Sequence, residues 1–295
     1  MSKTAIFHIE GGIGKHIAAT AVIDCYYKQN QDKKIIVVCA WPEVFMNNKS
    51  VDRVYRLNSV PYFYRDFIYN KDVEIFACDP YKTTAHITKK KHLIESWCEQ
   101  IGVSYSGEKP VLDLNLREQE IASKLLHLPN EKPLLVFQPF GGPGKGHQEH
   151  PYSWMRDIHP TIAQQLVNIL QEKYNIVHVC YDSHPVLQNC IRFDQIVYKK
   201  VLFALLNISQ ARLLIDSSLQ HAAAALNLPS TVVWVATQPK VFGYSIHTNI
   251  EPITKHEEGT IDSYLFDYNF TGAIHECPYT TPYEIFDIEQ IIKTL

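Results

Sequence analysis

The stretch Leu213-Leu214-Ile215-Asp216-Ser217-Ser218-Leu219-Gln220-His221-Ala222-Ala223-Ala224-Ala225-Leu226 decides how the chain is read. Its first residues are apolar without polar alternation, as in a strand buried on both faces, and they end at a carboxylate. Ser217 or Ser218 then stands where a helix cap belongs, and the alanines that follow let the helix lie close against the sheet. A buried strand feeding directly into a helix is the repeating unit of a parallel sheet covered by helices.

Two more transitions of this kind lie upstream. Thr4-Ala5-Ile6-Phe7-His8-Ile9 leads into Glu10-Gly11-Gly12-Ile13-Gly14-Lys15-His16, and Pro133-Leu134-Leu135-Val136-Phe137 leads into Gln138-Pro139-Phe140-Gly141-Gly142-Pro143-Gly144-Lys145-Gly146-His147. Between them short β-branched runs alternate with amphipathic segments. The pattern predicts strands over 4–10, 34–40, 51–57 and 73–78, with a further candidate at 111–114, and helices over 15–29 and 92–101. A second series of strands is expected over 133–139, 175–181, 212–216 and 231–236, and a closing helix within 283–295. The class is α/β. The polar stretch 126–133, which contains Pro129 and Pro133, reads as a linker. The expectation is two Rossmann-like doubly wound domains, 1–130 and 131–295, facing each other across a cleft, with the last helix a candidate to pack back on the first. In such sheets ligands bind beyond the carboxyl ends of the strands, so the loops there hold the candidate residues.

Composition narrows the function. The chain has 295 residues, 46% hydrophobic and 20% charged, enough for two apolar cores and inconsistent with disorder. With 28 Lys and Arg against 31 Asp and Glu, the net charge of −3 advertises neither nucleic acid nor anionic lipid as a partner. No apolar run approaches the roughly 18 residues of a membrane span. The start of the chain turns polar too early for a secretory signal, so a cytoplasmic protein is expected. The seven cysteines are scattered and mostly flanked by apolar residues, as reduced thiols without metal-ligand spacing would be. Among 14 histidines no His-x-x-x-His pair encloses a Glu, which argues against a zinc enzyme.

Each loop after a strand has a structural and a chemical reading. The 10–16 loop is either a tight turn or a substrate loop whose helix start presents free N–H groups to an anion. It matches neither a dinucleotide fingerprint, because Ile17 stands where the last glycine belongs, nor a P-loop, because Ile9 and His16 fail the spacing. Four glycines within 141–146 favour a loop that embraces a phosphate or sugar, with Lys145 as counter-charge. Ser217 and Ser218 either only cap or also bind, and His221 in the first helical turn suits a neutral imidazole that meets a ligand. Thr237, Gln238 and Lys240 end the next strand on the same edge. The basic run 89–92 reads as a solvated helix start, with an anionic acceptor such as DNA as its alternative. The aromatic cluster 62–67 reads as packing or as an acceptor platform.

The segment from Asp216 to Ala224, followed by Leu228-Pro229-Ser230-Thr231-Val232-Val233-Trp234-Val235, resembles the Asp-Ser/Thr-Gly-x-x-His-x-Ala-x-Ala-Leu-x-x-Pro segment of family 9 glycosyltransferases, the heptosyltransferase-like enzymes of the GT-B fold. The helical stretch 202–211 and the amino-terminal Gly11-Gly12-Ile13-Gly14 with Ala18-Ala19-Thr20-Ala21-Val22-Ile23 are similar to further parts of that family. The resemblance implies inverting, metal-independent transfer of a sugar from a nucleoside diphosphate sugar to a hydroxyl, with no cofactor beyond this co-substrate. It carries the donor diphosphate onto Ser217, Ser218 and His221, and no Asp-x-Asp metal pair lies near these loops.

The chain departs from the family at three places. Ser218 stands where many members have glycine, Lys145 only loosely echoes a family Lys-Trp pair, and Lys15 replaces the acidic base that follows the loop glycine. Proton removal then falls to Glu10 or His16, and Lys15 is expected to contact phosphate together with Gly12, Gly14, Gly141, Gly142, Asp216, Thr237, Gln238 and Lys240. The partners implied are a nucleotide sugar and a glycan or other hydroxyl acceptor, with modified DNA possible but not indicated by charge. A sugar-nucleotide 2-epimerase and a catalytically silent nucleotide-sugar-binding protein are the competing readings.

Overall fold

The computed structural model describes residues 3–126, 128–142, 154–194, 198–254, 277 and 279–295. Contacts divide the chain into two units. The first comprises Met1–Asp113 with Ala224–Leu226, and the second comprises Leu114–Ala223 with Asn227–Leu295.

In the first unit the apolar runs become β1 (Thr4–Ile9), β2 (Lys34–Cys39), β3 (Arg53–Arg56) and β4 (Val73–Phe76), joined through α1 (Ile13–Gln29) and followed by α2 (Thr84–Ile87) and α3 (Leu93–Gln100). All pairings are parallel, in the order β3-β2-β1-β4, with Ile6 of the central strand opposite Ile36 and Ile75. Ala5, Ile6, Phe7 and Ile9 of β1 are buried, so both faces of this strand are covered, which is why it lacks polar alternation. Gly11 turns the chain from β1 into α1 at φ +97°, a conformation open to glycine at little cost. Ala18, Ala19 and Ala21 of α1 are fully buried, as close packing on the sheet requires. The candidate strand at 111–114 does not form. The Val111 N–H donates instead to the Thr20 hydroxyl at 2.9 Å, so a side chain of α1 takes the place of a ladder partner.

The second unit runs α4 (Leu116–Leu125), β5 (Leu134–Phe137), α5 (Pro160–Leu170), β6 (Asn175–Val179), β7 (Ile191–Phe193), α6 (Lys199–Ile208), β8 (Ala211–Ile215), α7 (Ser218–Ala225), β9 (Thr231–Val233), α8 (Pro239–Phe242), β10 (Thr248–Ile250) and α9 (Ile288–Lys293). Its parallel sheet has the order β10-β9-β8-β5-β6-β7. Counted from β5, this is the 3-2-1-4-5-6 order of the dinucleotide-binding folds, and the first unit repeats its 3-2-1-4 part. In both units the order reverses beside the first strand, between β1 and β4 and between β5 and β8. The closing helix is α9, capped by Asp287, whose Oδ1 accepts the Glu289 and Gln290 N–H groups at 2.9 and 3.2 Å. α9 was the candidate to pack back on the first half, but it lies on α5, and Ile285, Phe286 and Ile291 join the core of the second unit. Among the described residues no helix is long and apolar enough to cross a membrane. Four of the cysteines are buried and three are partly so, all as free thiols.

α4 packs on α6 through Ala122, Val201 and Ala204. Asn115 and Glu118 form a reciprocal cap at the start of α4. Glu118 also faces Lys200 at 3.8 Å, with side-chain exposures of 7% and 2%. Removing one partner of a buried ion pair strands the other charge, at a cost of roughly 3–5 kcal/mol. Lys200→Met is therefore expected to lower unfolding free energy in urea by about 3 kcal/mol, and Glu118→Gln in that background to recover most of it. A loss below about 1 kcal/mol would show that the pair is not holding α4 to α6.

Candidate functional site

The carboxyl edge of the second sheet is tied together by side chains. The backbone N–H of Gln138, just past β5, donates to the Leu213 carbonyl at 2.9 Å, and its side-chain Nε2 donates to the Ser217 hydroxyl at 3.0 Å. The loops after β5 and β8 therefore meet where the strand order reverses. Gln138 is buried, and its Oε1 has no hydrogen-bond partner among the described residues, which leaves an acceptor waiting for a donor. Ser217 and Ser218 stand half-exposed at the start of α7.

A segment that the sequence reading passed over crosses this edge. Ala236 N–H donates to the Met155 carbonyl at 3.1 Å and Ile158 N–H to the Pro139 carbonyl at 2.9 Å, which fixes 155–158 over the ends of β5 and β9. The Asp157 carboxylate accepts the Gly141 N–H at 2.8 Å. A methyl group on Gly141 would lie 3.3 Å from that carboxylate and 3.5 Å from the Arg156 guanidinium, so glycine lets both approach. Arg156 is thus a cation at the glycine loop. Asp216 lies within reach of its field. Burial pushes the Asp216 carboxyl up, and the Thr237 hydroxyl and the Arg156 charge pull it down. The sequence signal for Arg156 was slight, a cation two residues after Trp154, and Lys145 had already filled the role. Lys145 lies outside the described residues, as do Gly144, Gly146 and His147.

Gly142 is half-buried beside Tyr181, Thr237 is buried, Gln238 is half-buried at the entrance of α8, and Lys240 is exposed. His221 is placed differently from expectation. It is 6% exposed, and its Nδ1 lies 2.8 Å from the Tyr244 hydroxyl. The neighbouring Gln220 donates to the Phe242 carbonyl at 3.0 Å, and the Gln220 carbonyl lies 3.0 Å from His247 Nε2. His221 therefore anchors α7 to the segment before β10 through its Nδ1.

In the first unit Gly12 is the exposed N-cap residue of α1 and Gly14 lies half-buried in its first turn. Glu10 ends β1 exposed, 3.4 Å from His8 Nε2. His16, the other candidate base, is fully buried. Its Nδ1 lies 2.9 Å from the Gly12 carbonyl, and its Nε2 lies 3.1 Å from the Ile9 carbonyl and 3.3 Å from the Ala40 N–H, so both ring nitrogens are engaged by backbone. Burial holds its pKa below the ordinary value, against the two backbone carbonyls that raise it. His16 fastens the turn and cannot reach an acceptor.

Lys15 is also corrected. Its side chain is 9% exposed, and Nζ binds Asp79 Oδ1 at 3.0 Å over the rings of Tyr81 and Trp97, so its charge is neutralised within the unit and is not offered to a phosphate. The aromatic cluster divides. Phe63 and Phe67 stack with Tyr55, while Tyr62 and Tyr64 remain exposed. Among the described residues no group of three or more His, Cys, Asp and Glu is arranged to hold a metal.

No protein-family model matches the chain, and no curated protein matches it in sequence. Solved structures do. A family 9 glycosyl transferase from Veillonella parvula is similar over 99% of this chain and 96% of its own, with TM-score 0.65 and 12% identity. The E. coli heptosyltransferase WaaC with ADP matches 84% of this chain and 93% of its own, with TM-score 0.53 and 12% identity. The iron-containing dodecameric glycosyltransferase TibC of enterotoxigenic E. coli matches 98% of this chain and 75% of its own, with TM-score 0.69 and 12% identity. The fold is that of the heptosyltransferase-like GT-B enzymes.

The placement of His16 has a measurable consequence. Because its folded-state pKa lies below the unfolded value of 6.5, its contribution to stability is complete above about pH 6.5 and is lost as pH falls toward the folded value. Urea unfolding at pH 7 and pH 5 should show a smaller loss of stability for His16→Gln than for the parent protein. Equal losses would mean that the ring is not held neutral.

Proposed function

We propose that the protein is a glycosyltransferase that moves a sugar from a nucleoside diphosphate sugar, bound by the second unit, to an acceptor hydroxyl, bound by the first. The observation that carries this reading is Arg156 set against Gly141 at the end of β5, on the edge where Ser217 opens the way into α7. A diphosphate placed there would meet a guanidinium, the Gly141–Gly142 loop, the two serine hydroxyls and the free N–H groups of the helix start. Gln138 Oε1, buried and unsatisfied, suits a sugar or ribose hydroxyl. Thr237, Gln238 and Lys240 would close the pocket on the β9 side.

The reaction is proposed to invert the anomeric centre by direct attack of the acceptor oxygen. Charge gathers on the departing diphosphate as its bond to the sugar breaks, and Arg156 and the α7 start face that charge, so the proposed transfer does not call for a metal. Because the similar WaaC structure contains ADP, an adenine nucleotide is the first donor to try. The base is proposed to come from the carboxyl edge of the first sheet, where Glu10, unlike His16, is open to solvent. The cytoplasm, where the free thiols of this chain stay reduced, is the proposed compartment.

Incubation with a panel of nucleoside diphosphate sugars is expected to release nucleoside diphosphate slowly from at least one, with or without EDTA. Arg156→Ala should weaken donor binding about 10- to 100-fold, the worth of one charge-assisted hydrogen bond of roughly 1.5–3 kcal/mol. Its melting temperature should stay near that of the parent. Failure of every donor to bind, or undiminished binding by Arg156→Ala, would contradict the assignment. Interconversion of the donor sugar without transfer would point to a 2-epimerase, and binding without turnover to a silent binding protein.

A further inference from the structure

Lys15 stands where the resemblance places an acidic base, yet it brings an acid with it. Its buried ammonium holds Asp79, which lies just past β4 on the strand beside β1, at the point where the strand order of the first unit reverses. Resting on the glycosyl-transfer reading, we infer that Asp79 is the group that takes the acceptor proton, and that Lys15 is the residue that positions it.

Asp79 is fixed on one side only. Oδ1 accepts from Lys15 Nζ at 3.0 Å and from the Tyr81 N–H at 3.2 Å, and Oδ2 has no hydrogen-bond partner among the described residues. The side chain is 38% exposed, so a hydroxyl can reach it. Lys15 is itself enclosed by Trp97, which is buried, and by the ring of Tyr81, with Nζ 5.7 and 5.4 Å from their centres. A general base works best when its orientation is settled before the substrate arrives. Glu10, with a side chain 71% exposed and His8 as its neighbour, has no such support.

A carboxylate of modest basicity suffices because the acceptor hydroxyl becomes acidic only as its oxygen bonds to carbon. In that step the acceptor oxygen forms its bond to the anomeric carbon while the bond from that carbon to the β-phosphate oxygen breaks. The electron pair leaves on the nucleoside diphosphate, and the hydroxyl proton passes to Asp79 Oδ2 and then to water. The groups facing Asp79 are Lys15 on α1, buried His86 on α2, and Cys78 and Tyr81 on its own loop, while Trp97 and Gln100 on α3 are neutral. Burial holds His86 near a pKa of about 4, so it is uncharged at neutral pH, and Lys15 is the cation in contact with Asp79.

The test uses the full chain with a donor that the parent protein turns over. Asp79→Asn, which keeps the shape and the Oδ1 acceptor, is expected to lower kcat at least about 100-fold, as loss of a general base does, with donor Kd within about threefold. The same loss is expected to exceed that of Glu10→Gln by at least about 30-fold. Lys15→Gln, which leaves Oδ1 without its ammonium partner, is expected to lower kcat at least about 10-fold with donor Kd within about threefold, and Lys15→Arg to restore most of it. A merely structural lysine would show its loss in melting temperature and donor Kd as well as in kcat. Asp79→Asn retaining kcat within about threefold, or Glu10→Gln carrying the larger loss, overturns the assignment of the base while leaving sugar transfer standing. Lys15→Gln retaining kcat within about threefold, or Lys15→Arg failing to restore it, overturns the role of Lys15. A parent protein that turns over no donor overturns the underlying reading, and the inference with it.

Discussion

A parallel sheet wound in the 3-2-1-4 order must leave a gap. The first and fourth strands lie side by side, but the chain leaves them toward opposite faces, so no backbone closes the space above their carboxyl ends. Both units have this opening, and in both a side chain from beyond one strand reaches a side chain from beyond the other. In the first unit the pair is Lys15 and Asp79, in the second Gln138 and Ser217. The bridges are polar because a ligand-ready gap cannot be sealed with apolar side chains and still receive an anion or a hydroxyl.

The two openings differ in their chemistry. The second unit sets a cation against its glycine loop, since Arg156 stands beside Gly141, and burial pushes the carboxyl of nearby Asp216 up. The first unit instead cancels its cation internally, because Lys15 is covered by aromatic rings and bound to Asp79. One edge is therefore suited to an anion, and the other to a neutral hydroxyl that must lose a proton.

The buried strands were legible because both of their faces are covered, and runs such as Leu134–Phe137 carry no polar residue to confuse the pattern. β7 and β10 were not, since each is a three-residue edge strand that includes a polar side chain, Arg192 or Asn249. α4 escaped because most of its surface is polar and its buried face is defined by α6, some 80 residues later in the chain. In the site, the residues that end strands were found at once, because topology alone puts them on the carboxyl edge. The direction of each side chain was not. Lys15 and His16 are neighbours on α1, yet one reaches a residue 64 positions away and the other folds back on Gly12. His221 looked like a ligand contact for the same reason, since nothing in the local pattern announces Tyr244 as its partner.

Similarity of fold at 12% identity leaves the ligand itself as the decisive witness. The most direct measurement is a crystal structure of the protein with ADP. The account predicts the pyrophosphate above the ends of β5 and β8, with Arg156 and the first N–H groups of α7 on its oxygens. A pyrophosphate bound elsewhere, with Arg156 still turned to the protein, would contradict it.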